Sequence, residues 1–184
     1  MDYTSIRQRM QQKRRALVYA QIASASQKIC DQIRQHPAYQ RAKHVAIYSA
    51  VQGEPSLHAI AKDCWQQPNK TCYLPCVQPG HRLRFSPATE HSTYQINCYG
   101  IPEPSTGART ISGAELDLVM MPLVAFNNHN DRLGSGKGYY DRSFAMRKQQ
   151  QFPTLLGIAY HWQLCHELTP QEHDIPCDDI ITDA

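Results

Sequence analysis

Apolar residues recur at helical spacing through the first part of the chain. Between residues 4 and 35 no proline or glycine interrupts, and the next breaker is Pro37. Two sets of apolar residues repeat with a helical period, the first being Ile6, Met10 and Leu17 and the second Ile22, Ala25, Ile29 and Ile33. This pattern predicts two helices joined near residue 20, followed by a short strand at 45–48.

The middle of the chain predicts a helix and short strands separated by turns. Residues 53–56 are typical of a turn, and Ser56 is placed to cap a helix that runs through Gln66. Residues 71–75 predict a strand that Pro75 stops, and residues 83–85 predict a third short strand. Residues 86–113 are rich in Pro, Gly, Ser and Thr, and we expect an irregular surface excursion there.

Two continuous apolar runs flank a glycine-rich segment in the last third. Residues 116–122 and 154–159 have strand length, and their continuous apolarity indicates burial on both faces, as in a parallel sheet. Between them lie the glycine-rich segment and a stretch from 138 to 151 that predicts a helix. Strand, loop, helix and strand form a βαβ unit, so the chain is expected to adopt an α/β layered fold.

The composition limits the classes of protein to which this chain can belong. With 184 residues, 41% hydrophobic and 19% charged, the chain is globular and is expected to form one domain over residues 1–184. A net charge of +3 gives no strong basic field, and no stretch of ~20 apolar residues is present to span a bilayer. We therefore expect neither a nucleic-acid nor a membrane partner.

The seven cysteines show no Cys-x-x-Cys spacing, which favours reduced thiols and a cytoplasmic location. Cys165 and His166 with His161 come nearest to a zinc set, but no second cluster matches them. Oligomeric state is not encoded in these patterns, and we expect a monomer.

The segment from Arg132 to Asp141 carries the strongest chemical signal. Its glycines at 134, 136 and 138 permit close backbone approach, and successive N–H groups can bind an anion in one concavity. Arg132 and Lys137 add positive charge suited to phosphate. The spacing matches neither the Walker A loop nor the dinucleotide-binding Gly-x-Gly-x-x-Gly, so a flexible turn remains the alternative.

Asp141 changes this picture because a carboxylate beside a phosphate site is repulsive unless a cation lies between them. Mg²⁺ is usually held by one or two carboxylates together with substrate phosphates, so Asp141 is a candidate Mg²⁺ ligand. The alternatives are a favourable charge near the start of the helix, or a salt bridge to Arg142 or Arg132.

The first helix is strongly basic. Its cations are Arg7, Arg9, Lys13, Arg14 and Arg15. Nucleic-acid binding is one interpretation, but a solvated helix face is favoured because the rest of the chain has no basic stripe.

Taken with its flanks, the loop resembles the signature of the 5-formyltetrahydrofolate cyclo-ligase family. The matching signature is Pro122-Leu-Val-Ala-Phe-Asn127 followed by Arg132-Leu-Gly-x-Gly-Lys-Gly-Tyr-Tyr-Asp141. Weaker matches in the same order are Arg7, Glu54, Tyr73-Leu74-Pro75, Gly100-Ile101-Pro102-Glu103-Pro104, Gln163 and His173-Asp174. The resemblance covers nearly the whole chain.

The resemblance implies a three-layer α/β/α fold with a mainly parallel sheet. It also implies an enzyme that uses MgATP to convert 5-formyltetrahydrofolate into 5,10-methenyltetrahydrofolate, releasing ADP and phosphate.

The residues that would carry this function follow from the matched positions. Catalytic roles would fall to Arg132, Lys137 and Tyr139. ATP would be bound by Arg7, Arg132, Leu133, Gly134, Ser135, Gly136, Lys137, Gly138, Tyr139 and Tyr140. The folate would be bound by Ser49, Glu54, Tyr99, Ser135, Gly136, Lys137, Gly138 and Tyr139. Asp141 and Asp174 would bind Mg²⁺.

Two positions depart from the family pattern. Tyr3 stands where members often carry a lysine facing ATP, and Pro55-Ser56 follows Glu54 where an apolar and then an acidic residue are usual.

Two other functions remain open at this stage. A different enzyme on a similar scaffold, acting on a phosphorylated sugar or an acyl-CoA, would not need the Mg²⁺ pair. A nucleic-acid-binding module would depend on Arg7, Arg14 and Arg15.

Overall fold

The computed structural model describes residues 2–105 and 107–184, and its first part is helical as the pattern predicts. Helix α1 (Tyr3–Arg15) and helix α2 (Tyr19–Gln35) meet at residues 16–18, which confirms two helices with a join near residue 20. A short helix, α3 (Pro37–Arg41), was not expected. It begins with a proline at its first turn, where the missing N–H costs nothing.

The described residues form ten strands in chain order. They are β1 (His44–Ala46), β2 (Thr71–Gln78), β3 (Arg82–Pro87), β4 (Tyr94–Ile96), β5 (Pro102–Pro104), β6 (Leu118–Pro122), β7 (Ala125–Phe126), β8 (Arg132–Leu133), β9 (Thr154–Ile158) and β10 (Asp179–Ile181). Six of them form one sheet in the order β10-β9-β6-β1-β2-β3. Every neighbouring pair in it is parallel except β2 and β3, so the expected α/β fold with a mainly parallel sheet is confirmed.

The sheet is buried on both faces, as continuous apolarity predicts for central parallel strands. Successive residues of β6 alternate between two cores: Leu118 and Met120 face one, and Val119 and Met121 face the other. Helix α2 and helix α4 (His58–Gln66) cover the first face. The opposite face is covered by a shorter helix, α5 (Tyr139–Ser143), and by Phe144, which makes three layers.

Helix α1 packs apart from the main sheet faces. Its buried Ile6 and Met10 join Val124, Ala125 and Leu133 of the β7–β8 hairpin in a separate apolar cluster. The start of the chain is thereby fixed against the segment that leads into the glycine-rich loop. None of the helices in the described ranges has the length and apolarity needed to cross a membrane.

The prediction that Pro75 ends a strand is wrong. Strand β2 continues to Gln78, and Pro75 pairs with Phe85 across the antiparallel β2–β3 contact. Phe85 exchanges both of its backbone hydrogen bonds with Ile111 instead, so this pair needs no donor from Pro75. Proline is tolerated where its missing N–H has no strand partner.

The expected irregular excursion at 86–113 contains an antiparallel hairpin, β4 with β5. Asn97 organises its turn, because its side-chain oxygen accepts hydrogen bonds from the backbone N–H groups of Tyr99 (2.8 Å) and Ile101 (3.1 Å). Such side-chain-to-backbone bonds replace regular pairing and are hard to recognise from composition.

The helix expected over 138–151 is shorter than predicted. Helix α5 ends at Ser143, and a 3-10 turn at 145–148 follows. Phe144 leaves the helical region with φ −115° and is fully buried, its ring 5.9 Å from that of Phe85. Burial of this aromatic side chain ends the helix.

The predicted βαβ unit is confirmed, since β6 and β9 are parallel neighbours with the glycine-rich loop and α5 between them. Strand β1 connects to β2 on one side, and β6 connects to β9 on the other. The point between β1 and β6 is therefore where the strand order reverses, and ligands of open α/β sheets bind beyond the carboxyl ends of strands at such a point.

Candidate active site

The glycine-rich loop requires glycine at two positions for steric reasons. Gly136 has φ +95° and Gly138 has φ +66°, both in the left-handed region that other residues rarely adopt. A Cβ on Gly138 would lie 3.1 Å from a guanidinium nitrogen of Arg142. The backbone of this loop is therefore specified by its sequence.

Arg132 and Asp141 form an ion pair at the base of the loop. A guanidinium nitrogen of Arg132 lies 2.7 Å from Oδ1 of Asp141, and the side chains are 4% and 15% exposed. The backbone N–H of Ile175 donates to the same oxygen at 3.2 Å. The described residues place no hydrogen bond on Oδ2 of Asp141, so the salt bridge leaves one carboxylate oxygen available to a ligand.

A cavity of about 560 Å³ opens on one side of the loop. Its wall is mainly cationic, with two carboxylates, and the charged members are Arg7, Arg132, Lys137, Arg142, Lys148, Asp141 and Asp174. Leu133, Gly134, Gly136 and Gly138 complete the loop side of this wall. We refer to it as the cationic cavity, since its charge suits a polyphosphate.

Helix α1 closes this cavity from across the loop. Nε of Arg7 donates to the carbonyl oxygen of Gly134 at 2.8 Å. The guanidinium group also lies beside Gly136, since a Cβ added at that glycine would be 3.5 Å from the guanidinium carbon. Tyr3 also lines the cavity, and its hydroxyl donates to the carbonyl oxygen of Thr169. Tyr3 therefore supplies a wall and a hydrogen bond at this edge of the cavity.

A second cavity of about 410 Å³ lies on the other side of the loop. Of the expected folate-binding residues, it is lined by Ser49, Glu54, Tyr99, Ser135, Lys137, Gly138 and Tyr139, and Tyr140 adds to its wall. Gly136 lines only the cationic cavity. We call this second space the hairpin cavity, because four residues of the β4–β5 hairpin form part of its wall: Asn97, Tyr99, Ile101 and Glu103.

The two cavities share one wall. Arg132, Gly134, Lys137, Gly138 and Asp141 line both of them. A phosphate in the cationic cavity and a group in the hairpin cavity would therefore meet at the loop, which is the geometry required for transfer between two bound molecules.

Arg14 enters this site from helix α1, which corrects the expectation of a solvated basic face. It is buried, and its guanidinium lies 3.2 Å from Glu54, with side chains 6% and 12% exposed. Nε of Arg14 also donates to the carbonyl oxygen of Gln52 at 3.1 Å. The spacing of Ile6, Met10 and Arg14, four residues apart on the buried face, is the signal that would have located it.

Glu54 is held by the protein through both carboxylate oxygens. Oε1 faces Arg14, and Oε2 accepts the backbone N–H of Val51 at 3.1 Å. Burial raises the pKa of Glu54 above its usual value, although Arg14 and the Val51 hydrogen bond oppose the shift.

Tyr139 belongs to an aromatic group at the mouth of the hairpin cavity. Its hydroxyl lies 3.0 Å from that of Tyr99, and this hydrogen bond, before burial, raises the pKa of Tyr139 to about 12. The His81 ring stacks on Tyr139 at 5.2 Å, and its Nδ1 lies 3.3 Å from the carbonyl oxygen of Lys137. His81 was not identified from the sequence, where a lone histidine in a turn carries no signal.

Two further expected residues support this wall. Ser49 donates through Oγ to the carbonyl oxygen of Pro102 at 2.9 Å, which ties the end of β1 to the hairpin. The Tyr140 ring lies 6.0 Å from the guanidinium carbon of Arg132, and burial raises the pKa of its hydroxyl. Both hold the position of other site groups.

Asp174 lines the cationic cavity together with Asp141. Its Oδ2 accepts the backbone N–H of Gln171 at 2.8 Å, and its Oδ1 lies 3.8 Å from Nε2 of His173. Residues 2–105 and 107–184 contain no cluster of three or more His, Cys, Asp or Glu side chains able to hold a metal. A cation here would take part of its coordination from a bound phosphate.

Comparison with known proteins agrees with this arrangement. Residues 2–183 match the model of the 5-formyltetrahydrofolate cyclo-ligase family. A 5-formyltetrahydrofolate cyclo-ligase of Haemophilus influenzae is 35% identical over 144 residues, covering 77% of this chain and 76% of the relative. One of Escherichia coli K12 is 30% identical over 177 residues, covering 94% and 96%. The solved 5,10-methenyltetrahydrofolate synthetase of Aquifex aeolicus superposes with a TM-score of 0.84 at 27% identity, covering all of this chain and 90% of that one. The chain belongs to the 5-formyltetrahydrofolate cyclo-ligase family.

Proposed function

We propose that the protein is an ATP-dependent ligase that closes 5-formyltetrahydrofolate to 5,10-methenyltetrahydrofolate, with release of ADP and phosphate. The observation that carries this is the loop wall shared by the cationic cavity and the hairpin cavity. A reaction between a triphosphate and a second substrate needs two adjoining sites, and the names of the relatives specify the second substrate.

The chemistry explains why ATP is needed. An N-formyl group is amide-like, so its carbon is a poor electrophile and its oxygen is a poor leaving group. Attack of the formyl oxygen on the γ-phosphate breaks the bond to ADP and gives an imidoyl phosphate. Folate N10 then attacks the formyl carbon and loses its proton to solvent, and the C–O bond breaks to release phosphate. In such a transfer the protein mainly positions the reactants and stabilises charge.

On the ATP side, Lys137 and Arg132 are assigned to the transferred phosphate. Arg132 is the fixed member, because Asp141 holds its guanidinium at 2.7 Å, whereas Lys137 is exposed and has no ion-pair partner among the described residues. A mobile ammonium can follow the phosphate as charge moves from ADP to the formyl oxygen. Arg7, Leu133, Gly134, Gly136 and Gly138 complete the ATP site on the cationic cavity. Of the other residues assigned to ATP, Ser135, Tyr139 and Tyr140 line the hairpin cavity instead, so they would act on ATP only from the far side of the loop.

On the folate side, Ser49, Glu54 and Tyr99 line the cavity opposite the loop. Glu54 fixes Arg14 and the turn at 51–54 with one contact on each carboxylate oxygen, and the remaining lone pairs are assigned to the folate. Tyr139 lines the hairpin cavity beside the shared loop wall, and its pKa of about 12 keeps the hydroxyl protonated at neutral pH. It is therefore available to hold the formyl oxygen during the transfer.

Mg²⁺ would be held by Asp141 and Asp174 together with phosphate oxygens. The two carboxylates fit this ion, because Mg²⁺ is commonly bound by one or two carboxylates and the substrate phosphates. The open Oδ2 of Asp141 and the position of both residues on the cationic cavity support the assignment. When bound, the ion would neutralise charge on the triphosphate.

The alternative functions make different demands on the same residues. An enzyme for a phosphorylated sugar or an acyl-CoA would tolerate loss of Asp141 and Asp174. A nucleic-acid module would need an exposed basic face, but Arg14 is buried and Arg7 is bound to the loop. The contacts of these two arginines favour the ligase.

A single assay tests the proposal. The protein is mixed with 5-formyltetrahydrofolate and MgATP, and the near-ultraviolet absorbance of the methenyl product is followed with parallel measurement of ADP. We expect product and ADP in equal amounts, both dependent on ATP. A folded sample that forms neither contradicts the proposed function.

We further propose that residues 1–184 act as one cytoplasmic, monomeric domain. The cysteines support the cytoplasmic location, since all seven are free thiols and disulfides are rare in the reducing cytosol. Light scattering coupled to size-exclusion chromatography measures the oligomeric state directly.

A further inference from the structure

Glu103 is a buried carboxylate that the assignments above leave without a role. It lies in β5, is 6% exposed, and lines the hairpin cavity. Buried carboxylates are costly unless their lone pairs are satisfied. The contacts of its two oxygens therefore indicate which kind of ligand group it can bind.

One oxygen of Glu103 is fully used by the protein. Oε1 accepts the backbone N–H of Val77 at 2.8 Å and the side-chain amide of Asn97 at 2.7 Å. The amide of Asn97 cannot turn over, because its own oxygen accepts the N–H groups of Tyr99 and Ile101. Two donors are thus fixed on Oε1.

The other oxygen, Oε2, receives no hydrogen bond from the described residues. It belongs to a side chain that is almost wholly buried and whose remaining surface faces the hairpin cavity. An ionised carboxylate only accepts hydrogen bonds, so the group that completes it must be a donor. Glu54 and Asp141 also line this cavity, but each is ion-paired, to Arg14 and to Arg132, whereas Glu103 has no ion-pair partner among the described residues.

We propose that Glu103 recognises the donor edge of the pterin, formed by the 2-amino group and N3–H of its pyrimidine ring. This inference rests on the proposed function, because it assumes that a folate occupies the hairpin cavity. The hairpin that carries Glu103 reaches the loop through the 3.0 Å contact between the Tyr99 and Tyr139 hydroxyls. A pterin held by Glu103 is thereby oriented beside the wall where phosphate transfer occurs.

A carboxylate is required here, and an amide of the same shape fails. In Glu103→Gln, the amide oxygen must face Val77 and Asn97, which turns the NH₂ group toward the pterin donors. The opposite orientation sets the NH₂ group against the Val77 N–H. At least one donor–donor contact results in either case, because the reversed orientation also sets the NH₂ group against the Asn97 amide, whereas glutamate accepts on both sides.

The test measures binding and turnover of two ligands by two proteins. The ligands are 5-formyltetrahydrofolate and its 2-desamino-2-methyl analogue, and the proteins are the wild type and Glu103→Gln. A charge-assisted hydrogen bond lost from a buried site predicts a rise of at least about tenfold in Kd and KM for the natural ligand. KM for ATP and the melting temperature are expected to stay unchanged.

The analogue separates recognition from structure. In the wild type, loss of the 2-amino group is expected to weaken binding by about tenfold, and in Glu103→Gln the two ligands are expected to bind within about twofold of each other. The matched control is Asp117→Asn, whose carboxylate also accepts two backbone N–H groups, at 2.8 Å each, but lies at the far end of β1. It is expected to leave both Kd values unchanged.

Two results would overturn the assignment of Glu103. One is an unchanged KM for 5-formyltetrahydrofolate in Glu103→Gln, and the other is equal discrimination against the analogue by wild type and variant. In both cases the wild type still forms methenyl product, so the proposed function stands. Absence of product from the wild type would instead refute the function.

Discussion

The buried pair of Arg14 and Glu54 gives a prediction whose size follows from its geometry. Replacing Arg14 by methionine keeps an unbranched stem but removes the cation 3.2 Å from Glu54, in a place where the two side chains are 6% and 12% exposed. Removing one partner of a buried pair typically costs about 3–5 kcal/mol, because the other charge is left unpaired. For a chain of this length we expect the melting temperature to fall by roughly 6–20 °C.

The loss also depends on pH. Burial already raises the pKa of Glu54, and removal of Arg14 raises it further. A carboxyl group whose pKa is higher in the folded state than in the unfolded state favours folding below its unfolded pKa, and this contribution is lost as pH rises through the folded pKa. The deficit of Arg14→Met relative to wild type is therefore expected to grow between about pH 5 and about pH 8.

Urea denaturation at both pH values measures this deficit. Arg15→Met is the matched control, since the Arg15 side chain is exposed and, among the described residues, bonds only to the Gln52 side chain at 2.8 Å; it is expected to cost at most about 1 kcal/mol. The double variant Arg14→Met with Glu54→Gln is expected to recover part of the lost stability, because no charge is then buried alone. A deficit below about 1 kcal/mol, or one that is equal at both pH values, would refute the reasoning.

Three further predictions concern the loop. Lys137→Ala is expected to lower kcat by at least about 100-fold without changing the melting temperature, since this side chain is exposed; near-normal turnover would remove its catalytic role. Asp141→Asn keeps an acceptor for Arg132 and Ile175 but lowers the charge, so half-maximal activity should require at least about tenfold more Mg²⁺; an unchanged Mg²⁺ titration would argue against this ligand. Gly138→Ala forces a side chain into φ +66°, and we expect a loss of about 1 kcal/mol or more and a higher KM for ATP; unchanged values for both would contradict the steric argument.

The parts of the fold that the sequence predicts are those set by local periodicity. The helices at the start of the chain, the buried strands at 118–122 and 154–158, and the βαβ unit all follow from runs of apolar residues. The errors arise where a distant contact overrides a local preference. Pro75 continues a strand because Phe85 pairs with Ile111, and helix α5 ends early because Phe144 is buried against Phe85.

The residues of the candidate site also fall into two groups, those that a local sequence pattern identifies and those that only the structure identifies. The loop is recognisable from the sequence because its glycines, its cations and Asp141 are contiguous, so their combined suitability for phosphate is visible without the structure. The density of basic residues in helix α1 favours a solvated face that includes Arg14, although its spacing from Ile6 and Met10 places it on the buried side. The sequence places Glu103 in a matched element but gives it no role, because one of its partners, Val77, is 26 residues away; His81 likewise contacts Lys137, 56 residues away.

The central claim is that the loop brings the γ-phosphate of ATP against the formyl oxygen. It is tested most directly by supplying 5-formyltetrahydrofolate labelled with ¹⁸O in its formyl group and analysing the released phosphate by mass spectrometry. One ¹⁸O atom is expected in each phosphate formed, because the formyl oxygen leaves as part of the phosphate. Phosphate without the label, formed together with methenyl product, would contradict it.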